Sequence, residues 1–121
     1  MAEPKTIKID EVEYIRKDDV SQPAKKLDGM EYVVIRTYSA GVHAGYLKSR
    51  EGKVVELVNT RRLWYWSGAF TLSAIAKNGL GNPENCKFSV ELDSITLTEA
   101  IEIIPCTEKA RESIQSIKAY E

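Results

Sequence analysis

The sequence predicts one α+β domain: an antiparallel meander of strands carrying two short helices. Three observations predict it. Between Glu31 and Val58, strand-length segments are separated by compact turn signals, as in an antiparallel meander. From Ser67 the apolar spacing widens to that of a helix, and it does so again after Pro105. The chain has 121 residues, 43% of them hydrophobic and 29% charged, enough for one core and one domain.

The first segment alternates. Ile7 and Ile9 precede a turn-like Asp10-Glu11, and Val12 and Tyr14 follow, so a short hairpin is expected. Ser21 to Gly29 is polar, carries Pro23 and ends in the breaker Asp28-Gly29, and reads as a linker. Residues 1–29 are therefore set apart as hairpin and linker, and 30–121 as the α+β ligand-binding core. Glu31 to Tyr38 is a strand with Val33 and Ile35 on one face and Tyr32 and Val34 on the other. Both faces are apolar, so each needs a cover, from a helix or from another subunit. That need predicts a homo-oligomer. Ser39-Ala40-Gly41 turns the chain, and Val42 to Lys48 returns, with Gly45 marking a bulge or a close backbone approach. Arg50-Glu51-Gly52-Lys53 is a hairpin turn into Val54 to Val58, which Asn59-Thr60 is expected to end.

Leu72, Ile75 and Ala76 share a helical face, with Ser67 or Thr71 as cap and Asn78-Gly79 as stop. Leu80 to Asn85 is a loop and Lys87 to Leu92 a strand. Ser94 to Ile104 alternates, with Ile95, Leu97, Ile101 and Ile103 on one face, and Glu99 interrupting it as a bulge or an edge. Thr107 caps a last helix whose inner face is Ala110, Ile114 and Ile117.

A formal net charge of -1 argues against a protein of bulk nucleic acid or anionic membranes, where a basic surface is expected. No apolar run approaches the roughly 20 residues of a membrane span, and residues 1–19 lack a signal-type apolar stretch. A cytoplasmic location is expected. There Cys86 and Cys106 read as buried, reduced thiols.

Catalytic signals are sparse. His43 is the only histidine, so there is no His–His metal pair, and the two cysteines have no companions. No Gly-rich phosphate loop runs from strand to helix. No enzyme activity, cofactor or metal is expected.

Binding signals are better. In "RRLWYW", Arg61 and Arg62 run into Trp64, Tyr65 and Trp66. An arginine fork matches phosphate oxygens and an aromatic face stacks on a base. Neighbouring arginines on a strand point to different sides, so one of the two is expected to reach a site. The plainer reading is that Trp64 and Trp66 anchor a sheet–helix junction. Lys87-Phe88 repeats the cation and aromatic pairing, and Asn85 adds an amide able to read a base edge. Lys109 and Arg111 form a solvated helix face or reach a phosphate across an interface.

The stretches "YVVIRTYSAGVHAGYLKSREGK", "NTRRLWYWSGAFTLSAIA", "NCKFSV" and "LTEAIEIIPCTEKARESI", spanning Glu31 to Ile117, resemble the first family of phage Thoeris anti-defence proteins. That resemblance implies a sponge: an oligomer in the host cytoplasm that sequesters a cyclic ADP-ribose-type signal at subunit interfaces without cleaving it. Cyclic oligonucleotides are a second possible ligand class. The family's arginines one helical turn apart in the last helix are not matched here, since Arg111 has Gln115 at that spacing and Lys109 has Ser113. The candidate ligand-binding set is Arg61, Arg62, Trp64, Asn85, Lys87, Phe88, Thr98, Lys109 and Arg111. The competing readings are a small phage structural or host-interaction module and, more weakly, a phosphodiesterase.

Overall fold

The computed structural model describes residues 22–120. The hairpin expected near Ile7 to Tyr14 lies outside them. Strands β1 (Tyr32–Thr37), β2 (Val42–Glu51) and β3 (Val54–Tyr65) form the antiparallel meander. Helix α1 (Leu72–Asn78) follows, then the two-residue β4 (Lys87–Phe88), then β5 (Leu92–Leu97), β6 (Ala100–Pro105) and helix α2 (Glu108–Ser116). All six strands belong to one antiparallel sheet, so the domain is α+β as the periodicities predict.

The two ends of that sheet are joined by a corner. β5 pairs with β3, β6 pairs with β1 on the far edge, and only Thr98 and Glu99 separate β5 from β6. One nearly continuous strand thus crosses from one edge to the other, and the sheet must curl to allow it. Glu99 holds the corner: its carbonyl accepts from the Tyr38 amide at 3.0 Å and its carboxylate from the Ser39 hydroxyl at 2.8 Å.

Curling gives the domain two cores. Inside the curl lie Val33, Ile35, Val55, Leu57, Leu97 and Ala100. On the outer face, Tyr32, Val34, Ala44 and Leu63 pack against α1 and α2 through Ile75, Ala76, Ala110 and Ile114. The expected split of β1 into two apolar faces is therefore present. Both faces are covered within one chain, so β1 does not itself require a second subunit.

Bulges account for the departures from simple alternation. Asn59-Thr60 does not end its strand. β3 runs on to Tyr65, with Asn59 at φ 48 supplying an extra residue opposite Gly45. An Asn in the left-handed region mimics a turn in sequence while the ladder continues. The bulge also switches faces: Val55 and Leu57 point into the curl, but Leu63 points to the helices. Gly45 is required here, because a Cβ on it would lie 2.7 Å from the Thr60 Cβ. A second shift falls between Arg36 and Thr37 opposite β6. It turns Ile101 out to solvent, and Ala100 takes the inward place that Ile101 was expected to hold. The strand expected over Lys87 to Leu92 is split by Ser89–Glu91 into β4 and the start of β5.

Both helices start as predicted. The Thr71 hydroxyl accepts from the Ala74 amide, and the Thr107 hydroxyl from the Ala110 amide, each at 3.1 Å. Gly79 ends α1 at φ 79. Cys86 and Cys106 are buried and free, and burial pushes the Cys106 thiol up to about 12. Residues 22–30 are tied to the start of α2. The Ala24 amide donates to the Cys106 carbonyl, the Glu108 amide to the Gln22 carbonyl, and the Lys25 amide to the Glu108 carboxylate.

Glu108 also pairs with the Arg111 guanidinium. That bond, with the Lys25 amide, holds its carboxyl down to about 2. A depressed carboxyl stabilises the fold above its unfolded value, and the contribution is lost as pH falls through the folded one. Glu108→Gln is expected to cost about 1–2 kcal/mol near neutral pH after solvent screening. In melts over a pH series, the gap between parent and variant should close from 4.5 down to about 2. A gap that persists at the acid end would mean the carboxylate's charge is not what matters.

Candidate ligand-binding site

The site sits at the C-terminal end of β3, where "RRLWYW" meets β4. Beyond the Asn59 bulge the side chains alternate: Arg61 and Leu63 are buried, Arg62 and Trp64 exposed. The two arginines therefore have different tasks.

Arg61 belongs to the core and is only 5% exposed. Its Nε–H donates to the Ser89 carbonyl and its Nη1 to the Ile114 carbonyl, both at 2.9 Å. The guanidinium carbon lies 5.3 Å from the centre of the Phe88 ring. Ile114 lies in the last turn of α2, where its carbonyl also accepts from the Ile117 amide at 3.3 Å and a cation is favoured. Burial pulls the Arg61 pKa below its ordinary value. Arg61 thus bridges sheet and helix and is spent on protein carbonyls.

Arg62 points outward, and Ser89 fixes its backbone from both sides. The Ser89 hydroxyl accepts from the Arg62 amide, and the Ser89 amide donates to the Arg62 carbonyl, each at 2.9 Å. One residue further, the β3–β4 register slips between Leu63 and Tyr65, leaving Trp64 as the extra residue. A bulge re-aims the side chain it carries, and Trp64 is 64% exposed.

Arg62, Trp64, Lys87, Phe88, Ser89 and Tyr120 line one open cavity of about 230 Å³. The Lys87 ammonium lies 4.9 Å from the Tyr120 ring centre, 5.5 Å from Trp64 and 5.9 Å from Tyr65. Trp64 and Tyr120 are in contact, with centroids 5.8 Å apart and planes tilted by 34°. Tyr120 is held there by the edge of β4, because its amide donates to the Phe88 carbonyl at 2.8 Å. An aromatic surface flanked by two cations matches a planar ring carrying an anionic group.

Four of the expected residues therefore meet: Arg62, Trp64, Lys87 and Phe88, the last as a buried floor. The others do not join them. Asn85 is exposed on the 3-10 turn Pro83–Asn85 and does not line this cavity. Thr98 lies at the corner next to Leu97, which pairs with Val55 at the other end of β3. Lys109 is exposed on α2. Arg111 is engaged within α2, donating to Glu108 and, at 2.7 Å, to Gln115. Gln115 thus occupies the position one turn on and occupies Arg111 as well.

Tyr120 and Ser89 were not foreseen. Tyr120 lies outside the predicted elements and gives no periodic signal, and Ser89 gives none until the β4 register is known. His43 is buried in β2. Its Nε2–H donates to the Ala40 carbonyl at 3.0 Å, and burial lowers its pKa. Among the described residues, no group of three or more His, Cys, Asp or Glu is placed to hold a metal ion. No helix among them is long and apolar enough to cross a membrane.

No curated protein matches the sequence, and no solved structure matches it. Residues 30–114 match a family described as a domain of unknown function, DUF6948. The match takes in the sheet, α1 and most of α2, and the chain belongs to that family.

Proposed function

We propose that the protein is a binding protein that sequesters a cyclic ADP-ribose-type signal and returns it uncleaved, as an anti-defence sponge of phage or prophage origin acting in the host cytoplasm. The observation that carries this reading is the grouping of Trp64 and Tyr120 with Arg62 and Lys87 around one open cavity. Such a site suits a base beside a pyrophosphate. It offers stacking and charge, and it needs only local basicity in a chain whose net charge is -1. The resemblance of Glu31 to Ile117 to the first Thoeris anti-defence family supports the same ligand class.

Arg62→Ala is expected to weaken binding about ten-fold or more, since a charge-assisted bond to phosphate contributes roughly 1.5–3 kcal/mol. Trp64→Ala is expected to lose a similar amount, at about 1–3 kcal/mol per stacked base. Calorimetric titration with cyclic ADP-ribose isomers measures both, and both variants should melt within about 2 °C of the parent. If both bind like the parent, the cluster is surface decoration. The sponge itself is tested by depletion. The signal should vanish from solution with the protein and reappear intact, by mass spectrometry, after heat denaturation. Recovery of a linear nucleotide would instead indicate a phosphodiesterase.

A second reading, a phage structural or host-interaction module, draws on Phe70, which is fully exposed, and Tyr38, at 78%. Both lie outside the cavity. Homo-oligomerisation now draws on these exposed rings rather than on β1. Light scattering reads the assembly, and a signal that is never depleted would favour this module.

A further inference from the structure

A second cavity, of about 220 Å³, adjoins the first. Arg62 and Ser89 line both cavities. The first has aromatic rings and a lysine. The second is walled by Val90, Leu92 and Ile95 with His43 behind them.

Most of its polar side chains already have protein partners. The Thr60 hydroxyl donates to the Ala44 carbonyl at 2.8 Å, and the Ser89 hydroxyl to the Val90 carbonyl at 2.9 Å. The His43 Nε2–H is held by Ala40, and Arg61 by Ser89 and Ile114. The Arg62 guanidinium, on the shared wall, forms no side-chain hydrogen bond among the described residues. A flat ring can lay its apolar face on Val90, Leu92 and Ile95 with its polar edge at the open mouth, whereas a sugar would present hydroxyls to that apolar wall at a cost. The volume admits one such ring with room at the mouth.

We propose that the two cavities form one bipartite site. A ligand would lay one ring on Trp64, set its phosphates against Arg62 and Lys87, and place a second, uncharged ring between Val90, Leu92 and Ile95. This rests on the nucleotide reading above and moves it in one respect: cyclic ADP-ribose carries a single base, whereas the class preferred here is a phosphate-linked compound with a ring at each end.

The test compares two probes that share an adenosine pyrophosphate and differ at the far end. ADP-ribose ends in a sugar, and diadenosine diphosphate ends in a second base. By calorimetric titration the parent is expected to prefer diadenosine diphosphate about ten-fold, the scale for burying one extra ring after ordering costs. Val90→Trp fills the second cavity from a position that is 40% exposed, and should reduce the preference to about two-fold or less. Leu92→Trp does the same from β5, and a melt confirms that each variant folds. Equal affinities in the parent, or a preference untouched by both folded variants, overturn the second subsite and leave the nucleotide reading standing. If neither probe binds a parent that does bind a cyclic ADP-ribose isomer, the subsite falls alone; if none of the three binds, the nucleotide reading falls and takes the subsite with it.

Discussion

Arg61→Ala is expected to destabilise the domain by about 3 kcal/mol or more, which lowers the melting temperature by roughly 10 °C. The side chain is buried and donates to two carbonyls, Ser89 on the sheet and Ile114 on α2. Truncation leaves both carbonyls without that donor and opens a void beside Phe88. Arg61→Lys should recover only part of the loss, because a single ammonium does not span the two acceptors as a fork does. Thermal melts of Arg61→Ala beside Arg62→Ala separate the two residues: the first should lose stability and the second affinity. A parent-like melt for Arg61→Ala would show that the sheet–helix bridge is dispensable.

Gly45→Ala is the second large effect, at about 2–4 kcal/mol. The new Cβ would meet the Thr60 Cβ at 2.7 Å, its Oγ1 at 2.9 Å and its Cα at 3.0 Å. Backbone is among these contacts, so rotating the Thr60 side chain does not relieve them. β2 and β3 would have to part in the middle of the sheet, at the bulge that orients Arg61 and Arg62. Denaturant unfolding measures the cost, and Gly81→Ala, whose Cβ would sit at 3.4 Å from its nearest neighbour, is the mild control. Near-parent stability for Gly45→Ala would deny the close approach.

The sequence carried the local features of the fold well. Thr71, Thr107 and Gly79 act where their chemistry says they should, since a cap depends on neighbours within one turn. The Gly52-Lys53 hairpin and the two faces of β1 are similarly local. What the sequence concealed lies at the bulges. Asn59-Thr60 has turn chemistry, yet β2 pairs across it, and only that pairing decides that the strand goes on. The same bulge selects which arginine is buried, so alternation could say that the two diverge but not which one reaches solvent. Ile101 misled for the same reason. Of the site, the Arg62–Trp64 and Lys87–Phe88 pairings were legible as residue types. Tyr120 was not, because its place depends on a bond to the Phe88 carbonyl far from any sequence pattern. The arrangement of Arg111 with Glu108 and Gln115 was visible as helical spacing, but its competition with a ligand role becomes plain only from the contacts.

The corner at Thr98-Glu99 also bears on how the chain reaches its native state. β6 pairs with β1, placing Pro105 opposite Val33 across more than half of the chain, while the β2–β3 hairpin closes over two residues. Closing the long loop loses more chain entropy before any contact repays it. The meander is therefore the natural nucleus. The corner strand then joins both edges in one event, because β5 cannot settle on β3 without bringing β6 within reach of β1. Until that event, the row of Val33, Ile35, Val55 and Leu57 faces water. The interval before the corner docks is when this domain is most open to pairing with the wrong strand.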